Sequence, residues 1–291
     1  MAKAKFIVIT PARNEAEYIG KTIESLVSQS VLPAEWVIVD DGSSDETAAI
    51  AATAARSYPW IKVLRLKDRG YRDFGCGDVE AFCYGITQIS ANDYQFIFKI
   101  DADIVLGRNY FNLILDKFAQ DPQLGIAAGE VDEVIGGKPL RLRALPLAKA
   151  GAVKGWRREC FEARRDPVQT LGWDGIDNFK AMMVGWKAIT FQDEALSVIH
   201  LRPMGASDPN IYRRWARHGQ ALYFMGAHPL WVLASALYHL LDPPYVTGAM
   251  CLLGEYLKAA LKGAEQYNDA EFKRFLRHWQ LRKLAQVLRL E

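Results

Sequence analysis

The chain has 291 residues, half of them hydrophobic, with 36 Lys and Arg against 34 Asp and Glu and a formal net charge of +2. That profile belongs to a folded globular protein and excludes a disordered chain, a collagen-like chain and a disulfide-framed miniprotein. Near-neutral charge supplies no global field for nucleic acid, so no nucleic-acid partner is expected.

The predicted elements alternate from the start. Phe6–Thr10 is a short apolar run ending in Pro11, and Asn14 is placed to cap a helix carrying Ile19, Ile23, Leu26 and Val27 at 3.6 spacing. Trp36–Val39 is a second apolar run. Asp41-Gly42-Ser43-Ser44-Asp45 is a turn, with Ser43 or Ser44 set to cap the Ala-rich helix after it. Ile61–Leu66 reads as a strand, Gly75–Ser90 as a helix, Tyr94–Ile100 as a strand and Arg108–Gln120 as a helix stopped by Asp121-Pro122. Leu124–Val131 is another strand, with Gly136-Gly137 as a hairpin turn. Residues 141–165 are irregular and basic. Asp174–Val184 reads as a helix, Lys187–Phe191 and Leu196–Leu201 as strands, and everything from Asp208 onward as helix.

This order predicts an α/β fold: a mainly parallel, Rossmann-like sheet flanked by helices, followed by a helical tail. A soft boundary near Pro203–Asn210 divides a catalytic domain, residues 1–207, from a helical extension, residues 208–291. Four cysteines, Cys76, Cys83, Cys160 and Cys251, form no C-x-x-C pair and no zinc ladder, which reads as reduced thiols in a cytosolic protein. No apolar leader precedes the first strand, and no run of about 18 uncharged apolar residues predicts a spanning helix.

In such sheets ligands bind beyond the carboxyl ends of the strands, and Asp40, Asp41, Asp101 and Asp103 all fall there. Asp101-Ala102-Asp103 closes an apolar strand. Two carboxylates at i and i+2 point the same way in extended chain, so they fit one Mg²⁺ or Mn²⁺ ion, or equally a turn and helix cap. The Asp40-Asp41-Gly42 turn fits hydrogen bonds to a base or ribose, or plain turn chemistry. Pro11-Ala12-Arg13-Asn14-Glu15 fits an anion at a helix start, or a capped helix. Gly75-Cys76-Gly77 is not a dinucleotide fingerprint, because Glu80 stands where the third Gly belongs, and no P-loop is present.

Taken together, Pro11-Ala-Arg-Asn-Glu15, Val39-Asp-Asp-Gly-Ser-Ser-Asp-Glu-Thr47 and Asp101-Ala-Asp103 resemble the ordered motifs of glycosyltransferase family 2, over roughly residues 5–203. The resemblance implies the GT-A fold and a nucleotide-sugar donor site. It places Pro11, Arg13, Glu15 and Asp41 on the nucleoside, Asp73 near the base or ribose, and Asp101 and Asp103 on Mn²⁺ or Mg²⁺. Gly172-Trp173-Asp174-Gly175-Ile176-Asp177 resembles the family's E-D segment. Counting back from Gly185, Asp174 takes the place of the catalytic base and Trp173 that of the usual Glu; Asp177 is the second choice. His200 resembles a third metal ligand, and Arg202 could meet a phosphate. In Lys154–Cys160, a stretch that lines the acceptor side in the family, Trp156 is a sugar platform or a core residue.

The implied activity is metal-dependent, inverting transfer of a sugar from a nucleotide-diphosphate donor, a UDP-sugar foremost, to an acceptor hydroxyl. The acceptor would be a sugar, lipid-linked or small molecule of envelope, polysaccharide or glycolipid synthesis. The alternatives are a nucleotidyltransferase that makes a nucleotide-sugar, and a catalytically silent sugar-nucleotide-binding scaffold. The lack of a Gly-rich, Lys/Arg-bearing phosphate loop argues against the first, and the intact Asp101, Asp103 and Asp174 set against the second. Asp208–Phe224 and Glu271–Glu291 are basic and amphipathic, which fits packing within the protein, a homodimer contact, or peripheral attachment to the inner face of a membrane. The expected location is cytoplasmic.

Overall fold

The computed structural model describes residues 4–73, 76–135, 138–141, 151–164, 168, 170, 172–202 and 211–288. The chain forms two compact units, residues 1–203 and 204–291.

In the first unit, β1 (Phe6–Ala12), β2 (Glu35–Asp40), β3 (Ile61–Arg65) and β4 (Phe96–Ile100) alternate with α1 (Ile19–Val27), α2 (Thr47–Ser57) and α3 (Gly77–Thr87). Then come β5 (Ile104–Leu106), α4 (Tyr110–Gln120), β6 (Leu124–Gly129), β7 (Val131–Ile135), β8 (Lys138–Arg141), β9 (Val153–Arg157), α5 (Arg158–Ala163), α6 (Trp173–Met183), β10 (Lys187–Phe191) and β11 (Val198–His200). The main sheet has seven strands in the order β10-β6-β9-β4-β1-β2-β3. β3, β2, β1 and β4 run parallel, as do β6 and β10, while β9 is antiparallel to both its neighbours. A smaller sheet, β5-β11-β7-β8, stands beside it.

Strand β1 shows why the sheet is central. Phe6 and Val8 join one core cluster, with Trp36, Ile38, Phe98 and Phe111, while Ile7 and Ile9 join another, with Val39, Phe82, Ile97 and Trp156. A strand buried on both faces needs apolar residues at every position, as parallel strands under helices do.

Three expectations change at this level. Asn14 does not cap α1, which begins at Ile19 behind Tyr18; Asn14 has φ +53° and takes its own backbone into the left-handed region. Ser43 and Ser44 do not cap α2. Asp45 does the nearest equivalent, accepting the Thr47 N–H at 3.0 Å. Within the irregular basic stretch, Val153–Arg157 is a strand at the centre of the sheet. The expected Gly136-Gly137 turn lies outside the described residues, although β7 and β8 on either side pair antiparallel.

The second unit contains α7 (Ile211–Phe224), α8 (Pro229–Tyr238), α9 (Val246–Leu261) and α10 (Ala270–Val287). Helices α7 and α9 approach closely at Gly219, where a Cβ would stand 2.2 Å from the Leu252 carbonyl oxygen. Helix α10 buries Phe272, Leu276 and Gln280, spaced by four, and Gln280 Oε1 accepts the His228 N–H at 2.8 Å. Among the described residues, no helix is long and apolar enough to cross a membrane.

Candidate active site

The carboxyl ends of β1, β2 and β4 lie side by side, and the polar residues that follow them are tied together by arginines. After β1, Asn14 bridges to the turn after β2: its N–H donates to Ser43 Oγ at 2.9 Å, and its side-chain oxygen accepts the Ser44 N–H at 2.9 Å. The positive φ of Asn14 serves this cross-link. Gly42 holds φ +70°, and a Cβ there would meet the Asp68 backbone at 2.4 Å, so the turn needs glycine.

Arg13 is buried. It donates to the Asp41 carbonyl oxygen and to Asp68 Oδ1, the latter at 2.6 Å. The Asp41 carboxylate takes Arg69, whose guanidinium also reaches Glu80 at 3.0 Å. Burial pushes the Asp41 carboxyl above the usual carboxylate range, against the pull of Arg69 and Arg13. Asp40 is fully buried and faces the turn, accepting the Ser43 N–H at 3.1 Å and facing Arg65 at 3.2 Å. Pro11, half-buried, lies in β1 in register with Val39. Asp73 sits at the approach to α3, where its carboxylate accepts the Cys76 N–H at 3.1 Å.

Glu15 and Asp103 meet through one side chain. Arg202, just past β11, donates to Glu15 Oε1 at 2.5 Å and to Asp103 Oδ2 at 2.6 Å. Arg72 adds a second contact to Glu15 at 2.6 Å. His200 Nε2 lies 2.9 Å from the same Asp103 oxygen. Burial raises Glu15, as does the nearby Asp103 charge, while the arginines oppose both. Burial also works against the Asp103 charge, but His200 and Arg202 outweigh it and hold that carboxyl below its ordinary value. Burial likewise disfavours charged His200, and the Asp103 contact overcomes it, so the imidazole pKa is raised. Sequence reasoning had no signal for Arg72; Arg202, for which it offered a phosphate contact, meets two carboxylates here.

Asp101 turns toward Lys99. The buried Lys99 ammonium contacts the Asp101 carboxylate, donates to the Gly151 carbonyl at 2.9 Å and lies 3.4 Å from Asp78. Among the described residues, no group of three or more His, Cys, Asp or Glu side chains converges as a metal cage. The donor chemistry still fits a hard divalent ion: Asp103 and His200 touch, and Asp101 lies two residues along the same turn. Among the described residues, Glu15 Oε2 and His200 Nδ1 are buried without a hydrogen-bond partner, which leaves polar capacity there for a ligand.

The start of α6 separates the two base candidates. Asp177 is buried, with Lys154 at 2.8 Å, Trp156 Nε1 at 2.9 Å, and Arg164 beside its carboxylate. Asp174 is only half-buried, and its Oδ2 lies 3.2 Å from where a Cβ on Gly151 would be. The Trp173 ring lies 5.6 Å from the Lys99 amine and 5.5 Å from that of Lys154, its partner across β4 and β9. Trp156 is fully buried, stacked on Phe82 at 5.4 Å, which removes it as a sugar platform.

Known proteins agree with this architecture. The sequence profile of glycosyl transferase family 2 matches residues 7–184, more than half of the chain. A stretch of 102 residues is 35 % identical to 4,4'-diaponeurosporenoate glycosyltransferase of Staphylococcus aureus, covering 35 % of this chain and 24 % of that protein. This chain therefore aligns with about a quarter of that relative's length. Among solved structures, a mannosyltransferase from Pyrobaculum calidifontis, in complex with GDP-Man and Mn²⁺, superposes with a TM-score of 0.58 at 18 % identity, over 97 % of this chain and 80 % of that one. TarS of S. aureus, residues 1–349 in complex with UDP-GlcNAc, superposes with a TM-score of 0.55 at 17 % identity, over 89 % and 73 %. Three motifs on neighbouring strand ends, the mainly parallel sheet and the profile match lead to one conclusion: this chain belongs to glycosyl transferase family 2.

Proposed function

We propose that the protein is a divalent-metal-dependent, inverting glycosyltransferase that moves a sugar from a UDP-sugar to an acceptor hydroxyl in envelope, polysaccharide or glycolipid synthesis. The observation that carries this reading is the guanidinium of Arg202 shared by Glu15 and Asp103, which joins the segment after β1 to the D-x-D turn. The UDP-GlcNAc and the GDP-Man with Mn²⁺ held by proteins of similar fold support the donor class and the metal.

In this reading Pro11, Arg13, Glu15 and Asp41 take the nucleoside, with Asp73 nearby. Asp101, Asp103 and His200 would hold Mn²⁺ or Mg²⁺, which when bound offsets the negative charge growing on the departing diphosphate. Asp174 is the base. It receives the proton of the acceptor hydroxyl as that oxygen bonds to the sugar C1 and the bond from C1 to the diphosphate oxygen breaks. One base and one in-line displacement invert the anomeric centre, so no second nucleophilic carboxylate is required. Asp174 suits the role better than Asp177, whose oxygens face Lys154, Arg164 and Trp156.

The test is UDP release from a panel of UDP-sugars with acceptor, before and after chelation of divalent ions, with the anomer of the product read by NMR. The reading expects metal-dependent release, an inverted product, and an Asp174→Asn variant that binds donor but transfers about 10² to 10⁴ times more slowly. A retained anomer, or full activity in Asp174→Asn, contradicts it.

A further inference from the structure

The second unit carries an exposed apolar surface that the sequence reading did not locate. In α8, Leu230, Leu233 and Leu237 lie on one side of the helix, each about half exposed, while Trp231, Val232, Ser235 and Ala236 are buried on the other. Leu241 and Tyr245, in the connection between α8 and α9, are exposed as well. In α9, Val246, Met250, Leu257 and Leu261 share a sector of roughly 60° at 100° per residue, and their exposure rises to 89 % at Leu261.

The surface is unusual in what it lacks. From Pro229 to Gly254 the one charged residue is Asp242, which is buried against His239 Nδ1 at 2.6 Å. Other polar side chains of the stretch are buried or bonded to nearby backbone: Ser235 is buried, the exposed Thr247 donates its Oγ1 proton to the Pro244 carbonyl at 2.9 Å, and the Cys251 thiol donates to the Tyr212 carbonyl. A contact with another protein, including a second copy, would need hydrogen bonds at intervals across the face. A lipid surface needs none.

The charge around the face is complementary to anionic lipid. Residues 204–291 hold eleven Lys and Arg against seven Asp and Glu. Lys258 and Lys262, both exposed, follow the α9 apolar sector on its flank, where their stems can lie along apolar surface; the Lys258 ammonium also meets Glu255 at 2.8 Å. We infer that the α8–α9 face is a docking surface for an anionic lipid bilayer, lying in the headgroup region rather than spanning it. This moves the contact from the basic stretches Asp208–Phe224 and Glu271–Glu291 to the mainly apolar pair of helices between them. It also stands apart from the transferase reading, since vesicle binding is measured without donor or acceptor.

The experiment is flotation of the full chain with vesicles of phosphatidylcholine containing about 30 % phosphatidylglycerol, and with phosphatidylcholine alone. The wild-type chain floats with the anionic vesicles. The triple variant Leu237→Glu, Met250→Glu, Leu261→Glu loses about tenfold or more of that binding while its thermal melt is kept, because all three side chains are exposed. The pair Lys258→Glu, Lys262→Glu leaves the apolar face intact and lowers binding to the anionic vesicles while leaving binding to neutral ones unchanged. A wild-type chain that ignores both vesicle types, or binding unmoved in both variants, overturns the inference. So does a wild-type dimer that the triple variant converts to monomer without any vesicle binding, which would give the face to a second copy.

Discussion

Glu15 and Asp103 are held by the same guanidinium, that of Arg202, at 2.5 and 2.6 Å. One residue follows β1 and the other follows β4, so Arg202 fixes the spacing between two motif segments that are far apart in sequence. Without it, Arg72 for Glu15 and His200 for Asp103 are the cationic partners that remain among the described residues.

Arg202→Ala should therefore cost stability as well as binding. Hydrogen bonds to charged groups contribute about 1.5–3 kcal/mol each, partly offset here by the partners that remain. A loss of about 2 kcal/mol corresponds to a fall in Tm of roughly 4–8 °C for a unit of this size. Arg202→Lys keeps the charge but cannot fork to two carboxylates, and should fall between. Differential scanning calorimetry of the three proteins measures this; an unchanged Tm in Arg202→Ala would mean that the bridge contributes nothing.

Asp174 and Asp177 should separate stability from chemistry. Removing one partner of a buried ion cluster typically costs about 3–5 kcal/mol, so Asp177→Asn should unfold at markedly lower urea. Asp174 is half-buried, and Asp174→Asn should stay within about 1 kcal/mol of wild type while losing transfer. Paired urea melts and turnover assays decide it. Equal destabilisation in the two variants would contradict the division.

Asp45 gives a pH dependence with a definite sign. Burial acts to raise its carboxyl, but Thr47 and the Ala16 and Thr47 N–H groups outweigh this and hold the pKa below the usual 3.8. A depressed carboxylate pKa contributes stability that is complete above the unfolded value and is lost as pH falls through the folded value. Asp45→Ala should cost about 1 kcal/mol at neutral pH, as loss of a cap does. The gap from wild type should hold at neutral pH and narrow as pH falls below the unfolded value and through the lower, folded one. A gap that widens on acidification would reverse the assignment.

Much of the strand-and-helix order could be read in the sequence because its apolar periodicity is local. What escaped it depends on partners far along the chain. Val153–Arg157 has two basic residues and a glycine in five positions, which locally argues against a central strand. It is one because Lys154 reaches Asp177 and because Gly155 leaves room for the Phe98 ring, 2.3 Å from where a Cβ would be. Asn14 carries the chemistry of a helix cap, but its contacts with Ser43 and Ser44 decide its backbone. At the site, the carboxylates could be found from their positions at strand ends. Their cations, Arg72, Lys99 and Arg202, could not, because nothing local in a sequence says which arginine pairs with which acid.

The same logic makes Gly155→Ala informative. A methyl there must displace the Phe98 ring in a buried sheet, and overpacking of this kind costs about 1–3 kcal/mol. A melt that matches wild type would mean that the ring moves freely.

The most direct test of the central claim is the thermal shift of the purified chain with UDP, GDP, dTDP and CDP, each with and without Mn²⁺. Ligand at about a hundred times its dissociation constant adds about 2.7 kcal/mol, or on the order of 5 °C for a chain of this length. The account predicts such a shift with UDP, dependent on Mn²⁺ and lost in Asp103→Ala. No shift with any of the four nucleotides, or a UDP shift that Asp103→Ala leaves intact, would contradict it.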